Sequence, residues 1–227
     1  MLVQSDAAVW HPDMPEEYKN QIVTGDAREL AKRIPNESVD LILCDPVFSH
    51  IEDYEWVARV GKRILKLGGN LITECGSHHM AKIIPLMNKS LDWVWLITER
   101  FSGGTGQMWS KRIMVFVAPF LWYSKGPRKG GWLIDTQVGR KDKSKHVWGD
   151  GPKIMLDIVS RITTSNEIIF DPYTGGGVVP AVCKMLGRNY IAFEIDPETA
   201  ERARERVRNT QPPLFVMEPE QLELVEK

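Results

Sequence analysis

The chain has 227 residues, enough for one large or two small domains, and its 43% hydrophobic and 26% charged residues describe an ordinary soluble globular protein. No run approaches the ~20 uninterrupted apolar residues of a membrane-spanning helix, and Met1-Leu-Val-Gln-Ser-Asp lacks the basic-then-apolar pattern of a signal peptide. A net charge of -1 excludes a uniformly basic protein, and three cysteines without a close pair (Cys44, Cys75, Cys183) argue against a disulfide framework or zinc knuckle and suit a reducing, cytoplasmic setting.

Residues 1–19, with Pro12 and Pro15, read as an irregular lead-in. Gln21–Thr24 is a short apolar run ended by Gly25-Asp26, and "ARELAKRI" then has helical spacing. Val39–Cys44 is almost continuously apolar, as expected of a strand buried on both faces. It runs into Asp45-Pro46-Val47-Phe48: a carboxylate, a stiff turn and an aromatic. Tyr54–Leu67 has near-helical apolar intervals and is expected to stop at Gly68-Gly69. Asn70–Thr73 reads as a strand, 79–87 as a short helix, and 91–98 and 113–123 as two strands, the second bent near Pro119. From Ser124 to Gly151 no period survives, and a loop of that length is usually functional or disordered. Beyond it come a helix over 152–163, a strand at 167–170, a helix at 178–186, a strand at 190–193 and a charged helix at 197–208. Strands alternating with helices at this spacing predict a mostly parallel α/β sheet with helices on both faces.

The strand Ile168-Ile-Phe repeats the earlier logic, ending in Asp171-Pro-Tyr173-Thr-Gly175-Gly-Gly177 before a helix. In open α/β sheets ligands bind beyond the carboxyl ends of strands, where glycines admit a ligand close to the backbone. The spacing is not GxGxxG and no Lys-Ser/Thr follows, which disfavours a dinucleotide or phosphate site. About twenty residues on, Glu194 ends the next strand, an offset that suits hydrogen bonds to a ribose diol. A glycine loop with a ribose acid but no phosphate ligands describes a phosphate-free nucleoside, and S-adenosylmethionine (AdoMet) fits.

"SVDLILCDPVF" and "DPYTGGG" followed by "GRNYIAFEID" together resemble the amino-group DNA methyltransferases, which act on adenine N6 or cytosine N4. The catalytic stretch precedes the AdoMet loop, as in the β group of that family, and "VTGDARELAKRIP" is similar to that group's opening. The resemblance covers roughly residues 20–124 and 146–208. It implies one methyltransferase domain over 1–227, with a catalytic half at 20–124, a target-recognition insert at 125–145, an AdoMet-binding half at 146–208 and an acidic tail at 209–227. It also implies a seven-stranded, mostly parallel, Rossmann-like AdoMet-dependent methyltransferase sheet.

Carried onto this chain, the resemblance implies that Asp171, Tyr173, Gly175 and Gly177 line the AdoMet loop. Glu194 would hold the ribose hydroxyls, Asp26 the adenine, and Lys153 would begin the helix flanking the methionine end. Asp196 is expected to cap the helix that starts at Pro197. Asp45, Pro46 and Phe48 are the catalytic candidates. An exocyclic amine is a poor nucleophile because its lone pair is delocalised into the ring. Acceptors on both N–H bonds, the Asp45 carboxylate and the Pro46 carbonyl, localise that pair, and both are in place before charge develops. Phe48 would stack on a base swung out of double-stranded DNA. The family's usual tetrapeptide has a second proline where Val47 stands; valine restrains the turn less and adds an N–H needing a partner.

Between Lys125 and Lys145 seven Lys/Arg face two Asp, a local balance of +5. Lys125, Arg128, Lys129, Gln137, Arg140, Lys141 and Lys143 are therefore the DNA-contacting candidates. "FSGGTG" at 101–106 is expected to form a loop near the base pocket. His78-His79 lacks the i, i+4 spacing of helical metal ligands, so no metal is expected. The dispersed tryptophans, Trp93, Trp95 and Trp122 among them, read as packing residues. An Asp-led tetrapeptide leans toward adenine N6. An RNA or nucleotide substrate and a non-catalytic AdoMet- or nucleic-acid-binding module stay open, as does a homodimer. A restriction–modification or phage setting would suit so small an enzyme.

Overall fold

The computed structural model describes residues 10–101, 106–139 and 152–211. One eight-stranded sheet organises them. Strands β1 (Gln21–Thr24), β2 (Val39–Cys44), β3 (Leu65–Glu74), β4 (Asp92–Phe101), β7 (Val117–Ser124), β8 (Thr136–Gly139), β9 (Ile168–Asp171) and β10 (Asn189–Glu194) lie in the order β1-β10-β9-β2-β3-β7-β4-β8. Only β7 runs against the others, pairing antiparallel with both β3 and β4. The expected seven strands become eight because residues 136–139, taken as part of a structureless loop, pair in parallel with Thr98–Phe101 of β4. A small hairpin of β5 (Gly106–Met108) and β6 (Ile113–Val115) stands apart from the sheet.

The helices cover both faces, which explains why β2 is apolar at nearly every position. Val39, Ile42 and Cys44 enter one core with residues of α2 (Ile51–Ile64) and α3 (Met80–Met87). Leu41 and Leu43 enter the other, with α4 (Pro152–Ile162), α5 (Val178–Leu186) and α6 (Pro197–Asn209). Asp40, the one polar member of β2, is held by Lys66 Nζ at 2.8 Å and accepts the Ile168 N–H at 2.9 Å. The short helix α1 (Ala27–Leu30) begins at Asp26, whose carboxylate accepts the Arg28 N–H at 2.8 Å.

Two element boundaries differ from those expected. Helix α2 stops at Ile64 because Leu65 pairs with Val39, and the register then slips so that Leu41 faces Asn70. Gly68, with φ of 85°, absorbs the slip, so the glycine pair marks a bulge rather than the helix end. The strand expected over 113–123 breaks at Phe116, and Pro119 sits inside β7 opposite Thr98. Of the tryptophans, Trp122 is buried with its Nε1–H on Asn70 at 2.9 Å, while Trp93 and Trp95 on β4 are largely exposed. Cys44, Cys75 and Cys183 are free and buried. No helix among the described residues is long and apolar enough to cross a membrane.

Candidate active site

Strand order reverses between β2 and β9, which are parallel neighbours with Ile42 opposite Phe170. Both end in Asp-Pro at the same edge, so Asp45 and Asp171 approach one another at the crevice where such sheets bind ligands. A cavity of about 450 Å³ opens there, within the usual range for small-molecule sites. Its wall brings together Asp26, Asp45, Tyr173, Gly175 and Glu194 from the expected set, with Val47 beside them. Arg28, His50 and Asp53, which sequence reasoning missed, complete one side. Arg28 and Asp53 are paired at 2.6 Å, and the guanidinium lies 5.9 Å from the Trp56 ring.

Glu194 is already oriented. One carboxylate oxygen accepts the Gly175 N–H at 2.8 Å and the other the Asp196 N–H at 2.9 Å, leaving lone pairs for a ligand diol. Asp196 caps α6 as expected, accepting the Thr199 N–H at 2.8 Å. Tyr173 presents its ring to the cavity wall and packs edge-on against Trp56, with its hydroxyl buried away from solvent near Asp53. Gly175 holds φ of 49° and a side chain there would meet almost nothing but the cavity. The acid-rich rim of Asp26, Asp45, Asp53 and Glu194 favours a cationic ligand. These features fit AdoMet, a sulfonium nucleoside.

Three expected ligands are not among the described residues of the cavity wall. Asp171 is 2% exposed and does not face the cavity; its carboxylate accepts the Tyr173 N–H at 3.1 Å, shaping the turn. Burial, with Asp45 and Glu194 nearby, pushes its pKa up to about 8 against hydrogen bonds from Tyr173 and Thr174. Gly177 is a packing glycine, since a Cβ there would come within 2.9 Å of Ala203 on α6. Lys153 is exposed at the start of α4 and is not part of the cavity wall.

Phe48 faces a second cavity of about 310 Å³ on the other side of the tetrapeptide. Its walls are Phe48, Glu74 at the end of β3 with residues 75–78 after it, Phe101, the root of the β5–β6 hairpin and Val117–Pro119 of β7. Asp45 and Val47 thus border the first cavity and Phe48 the second, while Pro46 is buried between them. Burial pushes the Asp45 pKa up to about 6, so the carboxylate is ionised at neutral pH. No protein group among the described residues accepts the Val47 N–H; the residue is 59% exposed and water can reach it. Glu74, also missed from sequence, lines the second cavity, as does His78, which is exposed as expected of a surface residue. No group of three or more His, Cys, Asp or Glu among the described residues is placed to hold a metal ion.

The basic segment is not where its charge suggested. Lys125 pairs with Gly68 and Gly69 at the start of β3, about 15 Å along that strand from Glu74. Because β7 is reversed, its end carries Lys125, Arg128 and Lys129 to the edge opposite the cavities. Two of these side chains are also engaged: Lys125 Nζ on Leu65 O and Glu37, and Arg128 on Gly130 O and Gly131 O, 4.8 Å from the Trp122 ring. Gln137 donates to Asp157 of α4 at 2.9 Å. Lys125, Arg128 and Gln137 are thus held by contacts within the fold and Lys129 lies at the same edge, away from both cavities; Arg140, Lys141 and Lys143 lie outside the described residues, as do most of the acidic tail and residues 102–105.

Known proteins are similar to this chain in sequence and in fold. A family model described as DNA methylase, of the N6/N4 type, matches residues 40–205, and a general methyltransferase-domain model matches 6–73. The type II methyltransferase M.HinfI of Haemophilus influenzae is 26% identical over 86% of this chain and 70% of its own length. M.BamHI of Bacillus amyloliquefaciens is 24% identical over 83% of this chain, which spans only 57% of that relative. The solved PvuII DNA methyltransferase, described as cytosine-N4-specific, superposes with a TM-score of 0.72 at 15% identity over 90% of both chains. An M1.HpyAVI–SAM complex gives 0.69 at 24% identity, over 82% of this chain and 98% of that one. With nearly three quarters of its length inside the matched family model, the chain belongs to the N6/N4 amino-group DNA methylases.

Proposed function

We propose that this protein methylates the exocyclic amine of a base in double-stranded DNA, adenine N6 in the first instance, with the target base swung out into the cavity beside Phe48. The observation that supports this reading is the position of Asp45-Pro-Val-Phe48 as the shared wall of two cavities, one suited to AdoMet and one open toward the β5–β6 hairpin. When bound, AdoMet supplies an electrophilic methyl group on a sulfonium. Asp45, ionised above about pH 6, accepts one amine N–H, and the Pro46 carbonyl accepts the other. Phe48 supplies a stacking face, Glu194 and Gly175 position the cofactor's polar groups, and the Tyr173 ring forms part of the wall.

The hairpin is the surface on which DNA would lie. It extends the β4–β7 pair beyond the catalytic edge and carries Lys111 and Arg112 beside Trp109, which is 82% exposed, and the exposed Ile113 and Met114. Basic groups next to an exposed aromatic suit a phosphate backbone with an adjacent unstacked base.

Adenine rests on the Asp-led tetrapeptide. Cytosine N4 is the second reading, favoured by the fold similarity to the PvuII enzyme. Incubation with labelled AdoMet and unmethylated plasmid DNA, then nucleoside analysis, decides: N6-methyladenine supports the first reading and N4-methylcytosine the second. Transfer to neither DNA nor RNA despite AdoMet binding would remove both. Asp45→Ala should abolish transfer while AdoMet affinity stays within a few-fold.

A further inference from the structure

Strands β2 and β3 are parallel neighbours with Cys44 opposite Thr73, so the next residues, Asp45 and Glu74, end the two strands side by side. Neighbouring strands are ~4.8 Å apart, close enough for two end residues to reach adjacent atoms of one ring edge. Glu74 lines the Phe48 cavity, and its carboxyl has no hydrogen bond or ion pair among the described residues. Behind the pair, the Tyr54 hydroxyl is fully buried with no partner, near Cys75, Cys44, Asp45 and Glu74.

Resting on the reading of the Phe48 cavity as the base pocket, we propose that Glu74 is the second carboxyl of the catalytic site. In its neutral form it donates a hydrogen bond to the ring nitrogen beside the target amine, while Asp45 serves as the ionised acceptor. In adenine and cytosine alike the amine is flanked by a ring nitrogen that only accepts. An ionised Glu74 would set acceptor against acceptor, and two adjacent carboxylates, Glu74 half-buried and Asp45 at the cavity rim, do not both ionise readily. The Tyr54 hydroxyl, buried without a partner, lies behind the pair.

The surrounding groups favour this division. Glu74 is faced by Asp45 from β2, Glu99 from β4, Tyr54 from α2 and the Cys75 thiol. His78 is the only side chain in the described cavity wall that can become cationic. Burial first, then Asp45 and Glu99, push the Glu74 pKa up to about 8, whereas burial brings Asp45 to about 6. Between those values the pair carries one proton, and the deeper burial of Glu74 with Glu99 as a second acidic neighbour favours holding it there.

The test is the pH profile of kcat/KM from pH 5 to 10 for wild type, Glu74→Gln and Glu74→Ala, with tritiated AdoMet and unmethylated plasmid DNA. Wild type should rise through about pH 6 as Asp45 ionises and fall through about pH 8 as Glu74 loses its proton. Gln keeps a donor that cannot ionise, so the alkaline fall should vanish and activity at pH 7 stay within about tenfold of wild type. Ala removes the donor and should cost roughly tenfold more than Gln, about the ~1.4 kcal/mol of one hydrogen bond. An alkaline fall that persists in Glu74→Gln, or Gln and Ala variants equally impaired, would overturn the proposal. Should Ala fail to fold, the Gln profile alone decides. Absence of transfer by wild type at every pH would instead remove the underlying reading of the site.

Discussion

Gly175 donates its backbone N–H to Glu194 across 2.8 Å, joining the turn after β9 to the end of β10. The same carboxylate that should receive the ribose therefore also holds the glycine turn in shape. Glu194→Ala removes both functions, so AdoMet affinity should fall at least tenfold, within the ~1.5–3 kcal/mol of hydrogen bonds to a charged group. Glu194→Gln keeps an acceptor for Gly175 and should lie between the two. Isothermal titration of AdoMet measures this, and equal affinity in all three proteins would detach Glu194 from the cofactor.

Gly177 looked like a cofactor residue and is a packing one. At φ of 77°, with a Cβ destined to meet Ala203 at 2.9 Å, alanine should destabilise the fold by roughly 2–4 kcal/mol. The folded fraction should bind AdoMet nearly as wild type does. Urea denaturation set beside AdoMet titration separates the two effects; normal stability with lost binding would return Gly177 to the cofactor site.

The two Asp-Pro turns were legible because a strand buried on both faces announces itself by its unbroken apolar run, and its end by the first acid. Glu74 had no such signal. It is one acid at the end of a strand, and only the Cys44–Thr73 register reveals that Asp45 stands beside it. Arg28, His50 and Asp53 were hidden for the same reason: three loop and helix-start residues converge only when α1 and α2 flank one crevice. Charge misled over Lys125–Lys129, since composition says how basic a segment is but not at which edge of the sheet it emerges. The reversal of β7 decided that, and a chain direction leaves no trace in local composition.

That reversal makes a test of the DNA surface. Lys111→Ala with Arg112→Ala removes two charges from the hairpin at the catalytic edge, whereas Lys125→Ala with Lys129→Ala removes two from the opposite edge. The first pair should weaken DNA binding several-fold and lower the salt slope by close to two. The second should leave the slope unaltered and act, if at all, on stability through the lost Glu37 and Leu65 contacts. Fluorescence anisotropy over a salt series reads both; a slope reduced only by the second pair would move the DNA to the other edge.

Val47 is the position where the chain departs from the usual Pro-Pro tetrapeptide, and the surroundings now show what the departure costs. Its N–H has no protein acceptor among the described residues, so proline would remove no hydrogen bond there. Its carbonyl, which proline keeps, accepts the His50 N–H at 2.9 Å and sets the turn into α2. The side chain is exposed at the rim of the AdoMet cavity, with room for a ring. Val47→Pro should therefore fold, bind AdoMet within about twofold of wild type, and transfer methyl at an equal or higher rate, because a fixed φ reduces the freedom of the Pro46 carbonyl and the Phe48 ring. Single-turnover rates with saturating AdoMet give the answer. A rate that falls by tenfold or more would mean that the valine's own shape, and not merely its tolerance, is part of how this site holds its base.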